Sequence, residues 1–338
     1  MKKILIEDIV VNDLLLKKVT LFNDKAKVIL VSYGAGVYQY LYEDQDLIIV
    51  PETIEAYMND LAFYGKTIGR TSGRLVVPSY RIEDQSYEVK PYLSAYTSLH
   101  GGKKGFSTQN FTLIKNTKDT ATFRYVSKDL EEGYPGKLIL DVHYILEDDG
   151  SLMIQYEATT TKDTLCNITN HVYFNLNQTE PTIFDQMIQL NASKYLDIDQ
   201  NYLLKNISDV NQSPFDFKSL KPFKMPIQQM NETSFKGFDH TFIFDDLKDD
   251  EVKAIAYDKK QNLGVNTYTS YPAVVLYTHN DPACIPLNGP FDKDAFYSSF
   301  TLECQYEPGG IHHESLNHAI LKKGETYQHF IKFEPFRK

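Results

Sequence analysis

Apolar and polar residues alternate from Leu138 to Leu146, so that Leu138, Leu140, Val142, Tyr144 and Leu146 share one face of an extended chain. After the turn residues Glu147-Asp148-Asp149-Gly150 the alternation resumes at Leu152, Ile154, Tyr156 and Ala158, which predicts a long amphipathic hairpin. Further strand-like runs fall at 19–22, 27–32, 119–127, 237–245, 252–258, 263–268, 273–279, 298–306 and 326–333. Residues 75–90 read as a strand pair around Glu83-Asp84-Gln85-Ser86, and 197–199 and 206–214 read as loops. Few segments suggest a helix. The clearest is 51–61, with Pro51 at its opening position. Many short strands, little helix, and neither a linker nor an internal repeat predict an all-β fold. We expect one large antiparallel β-sandwich domain spanning residues 1–338, with few short helices.

Two stretches, 163–176 and 298–306, have an unusual polar face. In 163–176, Cys166, Ile168, Val172 and Phe174 fall on one side with Asn170 as a polar exception, and Asn167, Thr169, His171, Tyr173 and Asn175 fall on the other. The second face carries amides, a hydroxyl, an imidazole and a phenol but no Lys or Glu. Such a face suits a groove for a polyhydroxylated ligand, or a strand end whose Asn and His satisfy nearby backbone groups. In 298–306, Phe300, Leu302, Cys304 and Tyr306 share one face, and Ser299, Thr301, Glu303 and Gln305 the other. A single carboxylate among uncharged neighbours is a general-base candidate, although this strand by itself reads more readily as carrying a surface Glu on a polar face.

Composition narrows the function classes. The net charge of −10 argues against nucleic acid as a partner. The 24 Tyr and 20 Phe favour strands. Glu7, Asp8 and Asp13 interrupt the apolar N-terminal run, so we expect neither a signal peptide nor a membrane span. Cys166, Cys284 and Cys304 have no CxxC spacing and read as reduced thiols of a cytoplasmic protein. Residues 64–74, YGKTIGRTSGR, lack the spacing of a P-loop, and GxSxG is absent. His312, His313 and His318 match no zinc spacing, so no metal site is expected. At 98–106, SLHGGKKGF, His100 precedes two glycines that permit close backbone approach to a ligand.

Several motifs, taken in order, resemble the galactose mutarotase (aldose 1-epimerase) family. They are GRTSGR at 69–74, LHGG at 99–102, TNHVYFNL at 169–176, GFDHTF at 237–242, LYTHN at 276–280, TLECQ at 301–305 and the closing LKKGETYQHFIKF. The resemblance covers nearly the whole chain. It implies the galactose mutarotase-like supersandwich and a cofactor-free enzyme that interconverts the α and β anomers of an aldose. It also implies Glu303 as general base at the C1 hydroxyl, His171 as general acid at the ring oxygen, and His100 assisting near that oxygen. Arg74, Asp239 and Gln305 would bind sugar hydroxyls, with Arg74 favoured over Arg70. The partner implied is a small sugar, a monosaccharide or a reducing disaccharide, and a homodimer is left open. The chain departs from the pattern at Gly73, where Asn is common, at His279, where Gly is usual, and after Glu303, where it reads CQYEPGGIHH. These departures leave the preferred sugar among galactose, glucose, xylose and maltose undecided. They also keep a catalytically silent sugar-binding protein on the same fold as the alternative. A glycosidase using Asp239 and Glu303 is the third reading.

Overall fold

A computed structural model describes residues 2–282, 285–289, 291 and 295–338. Three antiparallel sheets dominate it. An N-terminal meander pairs Lys3–Val11, Leu14–Phe22, Ala26–Val31, Gly36–Tyr42 and Gln45–Asp46 in chain order. A nine-stranded sheet runs, in spatial order, Thr112–Asn116, Thr120–Ser127, Leu138–Leu146, Leu152–Thr160, Thr326–Arg337, Leu263–Thr269, Ala254–Asp258, Met187–Leu190 and Lys221–Pro222. A six-stranded sheet runs Tyr173–Phe174, Phe300–Gln305, Ala273–Tyr277, Asp239–Phe244, Ala192–Ile198 and Leu204–Asp209. No described helix is long and apolar enough to cross a membrane.

The predicted hairpin forms with Leu138 opposite Thr160 and Leu146 opposite Leu152. Its apolar face is fully buried, and the intervening residues of Leu138–Leu146 are half-buried, as expected for a sheet packed on one side. Buried side chains from all three sheets join one apolar core. Tyr40 of the meander donates to the Gly150 carbonyl at 2.7 Å, and Phe174 packs on Phe333 of the nine-stranded sheet at 4.9 Å. A fully buried aromatic of this kind contributes about 1.5–3 kcal/mol, and its hydroxyl is satisfied by the backbone carbonyl it reaches.

Several expectations change. The helix at 51–61 is only Ile54–Asn59, because Thr53 rather than Pro51 caps it, accepting from the Ala56 N–H at 3.1 Å. Residues 163–176 do not form one strand. They split into Thr164–Leu165, Thr169–Asn170 and Tyr173–Phe174, each paired with a different partner segment. Part of the loop expected at 206–214 is strand Leu204–Asp209, an edge strand whose outer side needs no apolar face. Cys166 and Cys304 are free and buried, and Cys284 lies outside the described residues.

Candidate active site

Tyr173 lies opposite Thr301 in the antiparallel register of Tyr173–Phe174 with Phe300–Gln305. Carried two positions beyond the ladder on each strand, that register sets His171 opposite Glu303 on the same face. The side chains meet, with His171 Nε2 3.3 Å from Glu303 Oε1, and both are nearly fully buried. Thr301, next along that face, donates its hydroxyl to Glu303 Oε1 at 3.0 Å. The backbone of His171 is held by another segment: its N–H donates to the Lys66 carbonyl at 3.0 Å, and its carbonyl accepts from the Gly65 N–H at 2.9 Å.

His100 completes the cluster, its ring edge-on to His171 with centroids 5.2 Å apart. It stands at the end of strand Thr97–Leu99, where Leu99 pairs with Arg74, so one short ladder presents both His100 and Arg74. The two glycines that follow are required by packing. A Cβ on Gly101 would sit 2.1 Å from the Gly69 carbonyl oxygen, and Gly101 has a φ of +84°. The Gly73 N–H donates to His100 Nδ1 at 3.2 Å. That bond leaves the ring proton on Nε2, so the nitrogen not facing Gly73 is a hydrogen-bond donor.

The same bond bears on metal binding. His100, His171 and Glu303 each offer an atom within 4.8 Å of the others. A metal ligand must present a lone pair, and the His100 nitrogen free of Gly73 carries the proton instead. The cluster is built for proton-sharing hydrogen bonds rather than for a cation.

These groups open onto a cavity of about 860 Å³. Arg74 and Asp239 line it as an ion pair, Nη1 to Oδ2 at 3.1 Å, and Tyr202 lies flat on the Arg74 guanidinium at 3.6 Å. Asp239 begins strand Asp239–Phe244, opposite Tyr277 of the strand that neighbours Glu303. Leu61, Leu93 and Phe296, each about half exposed, mark the mouth.

Burial sets the protonation of the pair. Desolvation, helped by the Asp239 charge, pushes Glu303 up to about 8 against the opposing Thr301 bond and Arg74 charge. Desolvation also pulls His171 down to about 3 and His100 well below the usual imidazole range. Both shifts favour the neutral pair, with the proton the two groups share resting on the carboxyl.

Not every residue expected at the site reaches the cavity. Arg70 is fully buried and donates to the carbonyls of Pro135, Gly136 and Lys128 and to the Ser127 hydroxyl at 2.6–3.1 Å. Arg74, and not Arg70, lines the cavity. Gln305 shares the strand face of Glu303 but is not among the lining residues, and neither of its buried amide atoms has a hydrogen-bond partner. His279 also stands behind the wall. Its Nε2 is 2.8 Å from the Tyr64 hydroxyl, its Nδ1 2.7 Å from that of Ser298, and its ring 5.2 Å from Tyr173. Gly73 has a local reason: at φ +68° a Cβ there would meet Pro308 at 2.5 Å. Tyr202 and Phe63 carry no signal in the sequence. Phe63 packs its ring 4.7 Å from His100 and 5.9 Å from His171, and both aromatics come from irregular segments without a motif.

Comparison with known proteins finds relatives along nearly the whole chain. The family model described as aldose 1-epimerase matches residues 17–334. Galactose mutarotase of Mus musculus is 30% identical over 327 residues, covering 94% of this chain and 93% of the relative. Aldose 1-epimerase of Escherichia coli K12 is 28% identical over 285 residues, covering 83% of this chain and 82% of the relative. Among solved structures, galactose 1-epimerase from Lactobacillus acidophilus superposes with a TM-score of 0.87 at 24% identity, covering 100% of this chain and 99% of that one.

Proposed function

Because the chain belongs to the aldose 1-epimerase family of isomerases, we propose that its cavity interconverts the α and β anomers of galactose- or glucose-type aldoses by opening and reclosing the ring. The observation that carries this reading is the buried contact of His171 with Glu303 at 3.3 Å, beside a donor from His100 and an open polar cavity.

In the reaction, Glu303 takes the proton from the C1 hydroxyl as His171 gives one to the ring oxygen. The C1–ring oxygen bond breaks, C1 becomes an aldehyde, and rotation about C1–C2 presents its other face. Reclosure runs with the two roles reversed, so both groups return to their starting state and no net proton is taken up. The pair needs one proton for this. Burial favours its resting on Glu303, and sugar hydroxyls that hydrogen-bond the carboxyl group favour its transfer to His171. His100, donating through the nitrogen that Gly73 leaves free, stabilises charge developing on the ring oxygen. Arg74 and Asp239 orient the ring through its hydroxyls, a positioning effect that can supply several kcal/mol of the barrier. A cavity of about 860 Å³ whose exposed lining mixes Leu61, Leu93 and Phe296 with Asn59, Lys236 and Asp281 suits a reducing disaccharide as well as a monosaccharide.

Polarimetry on freshly dissolved α-galactose, α-glucose, xylose and maltose tests the proposal. Wild type is expected to outrun buffer, with Glu303→Gln and His171→Asn slower by about 10²–10⁴-fold. Rates no faster than buffer for every sugar overturn it.

A further inference from the structure

A salt bridge lies buried behind the two imidazoles, and the chemistry above does not use it. Lys66 Nζ is 2.8 Å from Asp60 Oδ2, and the two side chains are 1% and 0% exposed. The lysine also faces the Tyr57 ring, 4.8 Å from its centroid. A buried pair of this kind adds little net stability, because desolvation offsets most of the attraction, so its presence calls for another explanation.

The segment it closes answers that. Asp60 Oδ1 accepts from the Tyr64 N–H at 3.3 Å, and the Lys66 N–H donates to the Phe63 carbonyl at 3.0 Å, so residues 60–66 form a tight loop bound at both ends. The loop touches the catalytic groups in two ways. Its Gly65 and Lys66 backbone groups make both backbone hydrogen bonds of His171, and its Phe63 ring lies against His100 and His171. Phe63 has a φ of +63°, a left-handed conformation that a bulky residue adopts only when its surroundings enforce it. Asn59 to Phe63 also line the cavity.

We propose that Asp60 and Lys66 are positioning residues, whose ion pair clamps the 60–66 loop so that its backbone sets the height of His171 and Phe63 fixes the tilt of both imidazoles. The inference rests on the acid–base roles proposed for His171 and His100. Neither clamp residue exchanges a proton with the sugar. Their effect falls on the alignment of the acid, which is felt in the chemical step and not in sugar affinity.

The test uses Asp60→Glu, which keeps both charges but moves their contact by one methylene, and the double variant Asp60→Asn with Lys66→Met, which removes both charges and leaves neither alone in the core. Polarimetry gives kcat and KM, and ¹⁵N spectra of histidine-labelled protein report the His100 and His171 rings without turnover. We expect kcat to fall at least about tenfold in each variant with KM within about threefold, and the two imidazole signals to shift. Asp60→Glu with wild-type kcat and unmoved imidazole signals overturns the proposal, as does a loss confined to KM in the folded double variant. A wild-type protein that fails to speed mutarotation removes the reading beneath, whereas the imidazole signals judge the clamp in the same sample.

Discussion

Replacing Glu303 by Gln is expected to make the protein more stable while it destroys the proposed activity, and the size of the gain follows from burial. The folded carboxyl is raised from 4.5 to about 8, chiefly by desolvation. Its proton is thus kept on folding across a range where the unfolded chain releases it. Stability changes with pH as the protons bound by the unfolded state minus those bound by the folded state, which is negative here, so this group destabilises as pH rises from about 4.5 to 8. The accumulated cost is under about 1 kcal/mol at pH 5, about 3 kcal/mol at pH 7, and near 5 kcal/mol above pH 8. A Gln of the same shape carries no such proton. His171 stays in both proteins, and its own shift cancels in the comparison. For a chain of 338 residues the unfolding entropy is about 0.7 kcal/mol per kelvin, so the gain at pH 7 corresponds to roughly 4 °C in Tm. The assay is thermal unfolding of wild type and Glu303→Gln by circular dichroism at pH 5, 6, 7 and 8. A Tm difference that stays flat with pH, or shrinks toward pH 8, refutes the reasoning.

The pair that shares one proton between limits of about 3 and about 8 predicts a rate flat through pH 5–7 and falling above about 8 as that proton is lost, measured as kcat/KM by polarimetry; a rate still rising past pH 8 contradicts it. Asp239→Asn leaves Arg74 without its partner and removes a charge that raises Glu303, so KM is expected to rise about tenfold and the alkaline limb to move to lower pH; an alkaline limb unmoved argues against that coupling. Tyr202→Ala frees the Arg74 guanidinium from its stacking partner and should raise KM about 2–10-fold with kcat little changed; unchanged KM would remove Tyr202 from the site. Gly73→Ala drives a methyl into Pro308 at a positive φ and should lower stability by about 1–3 kcal/mol in thermal unfolding; wild-type stability would show that this turn can relax.

The sequence was most legible where a strand meets solvent on one side. The hairpin of Leu138–Leu146 and Leu152–Thr160 alternates because one face is core and the other is not, and that difference is written in residue type. The strand Phe300–Gln305 is buried on both faces. Its split into Phe300, Leu302 and Cys304 against Thr301, Glu303 and Gln305 could be read, but not whether the polar face met water or another chain segment. Residues 163–176 kept a strand-like alternation while pairing with three partners in turn, and partner changes leave no periodic mark. Arg74 and Arg70 look alike in sequence. One sits in a ladder opposite Leu99 at the cavity, and the other is consumed by the carbonyls of a loop more than fifty residues away. Such a choice is tertiary. Tyr202 and Phe63 come from segments with no regular pattern, and only contact reveals them.

The broken course of 163–176 also bears on why the acid sits where it does. In a continuous strand the backbone of His171 would bond its neighbours in the six-stranded sheet, and its position would follow that sheet. Here the ladder with Phe300–Gln305 stops at Tyr173, and the His171 backbone bonds to Gly65 and Lys66 instead. The carboxyl therefore belongs to the sheet, whereas the imidazole lies two residues past the end of the ladder, where its backbone is held by the 60–66 loop. Under the proposed reaction, the C1 hydroxyl and ring oxygen of an aldose would enter between these two groups, which are 3.3 Å apart. The two side chains can part by rotation about their own bonds, while the 60–66 loop keeps the His171 backbone in place and Thr301 holds the carboxyl. Burial, which raises Glu303 and lowers His171, favours the neutral pair, and one shared proton makes a weaker contact than two buried charges would, one that the hydroxyls of the proposed substrate could replace.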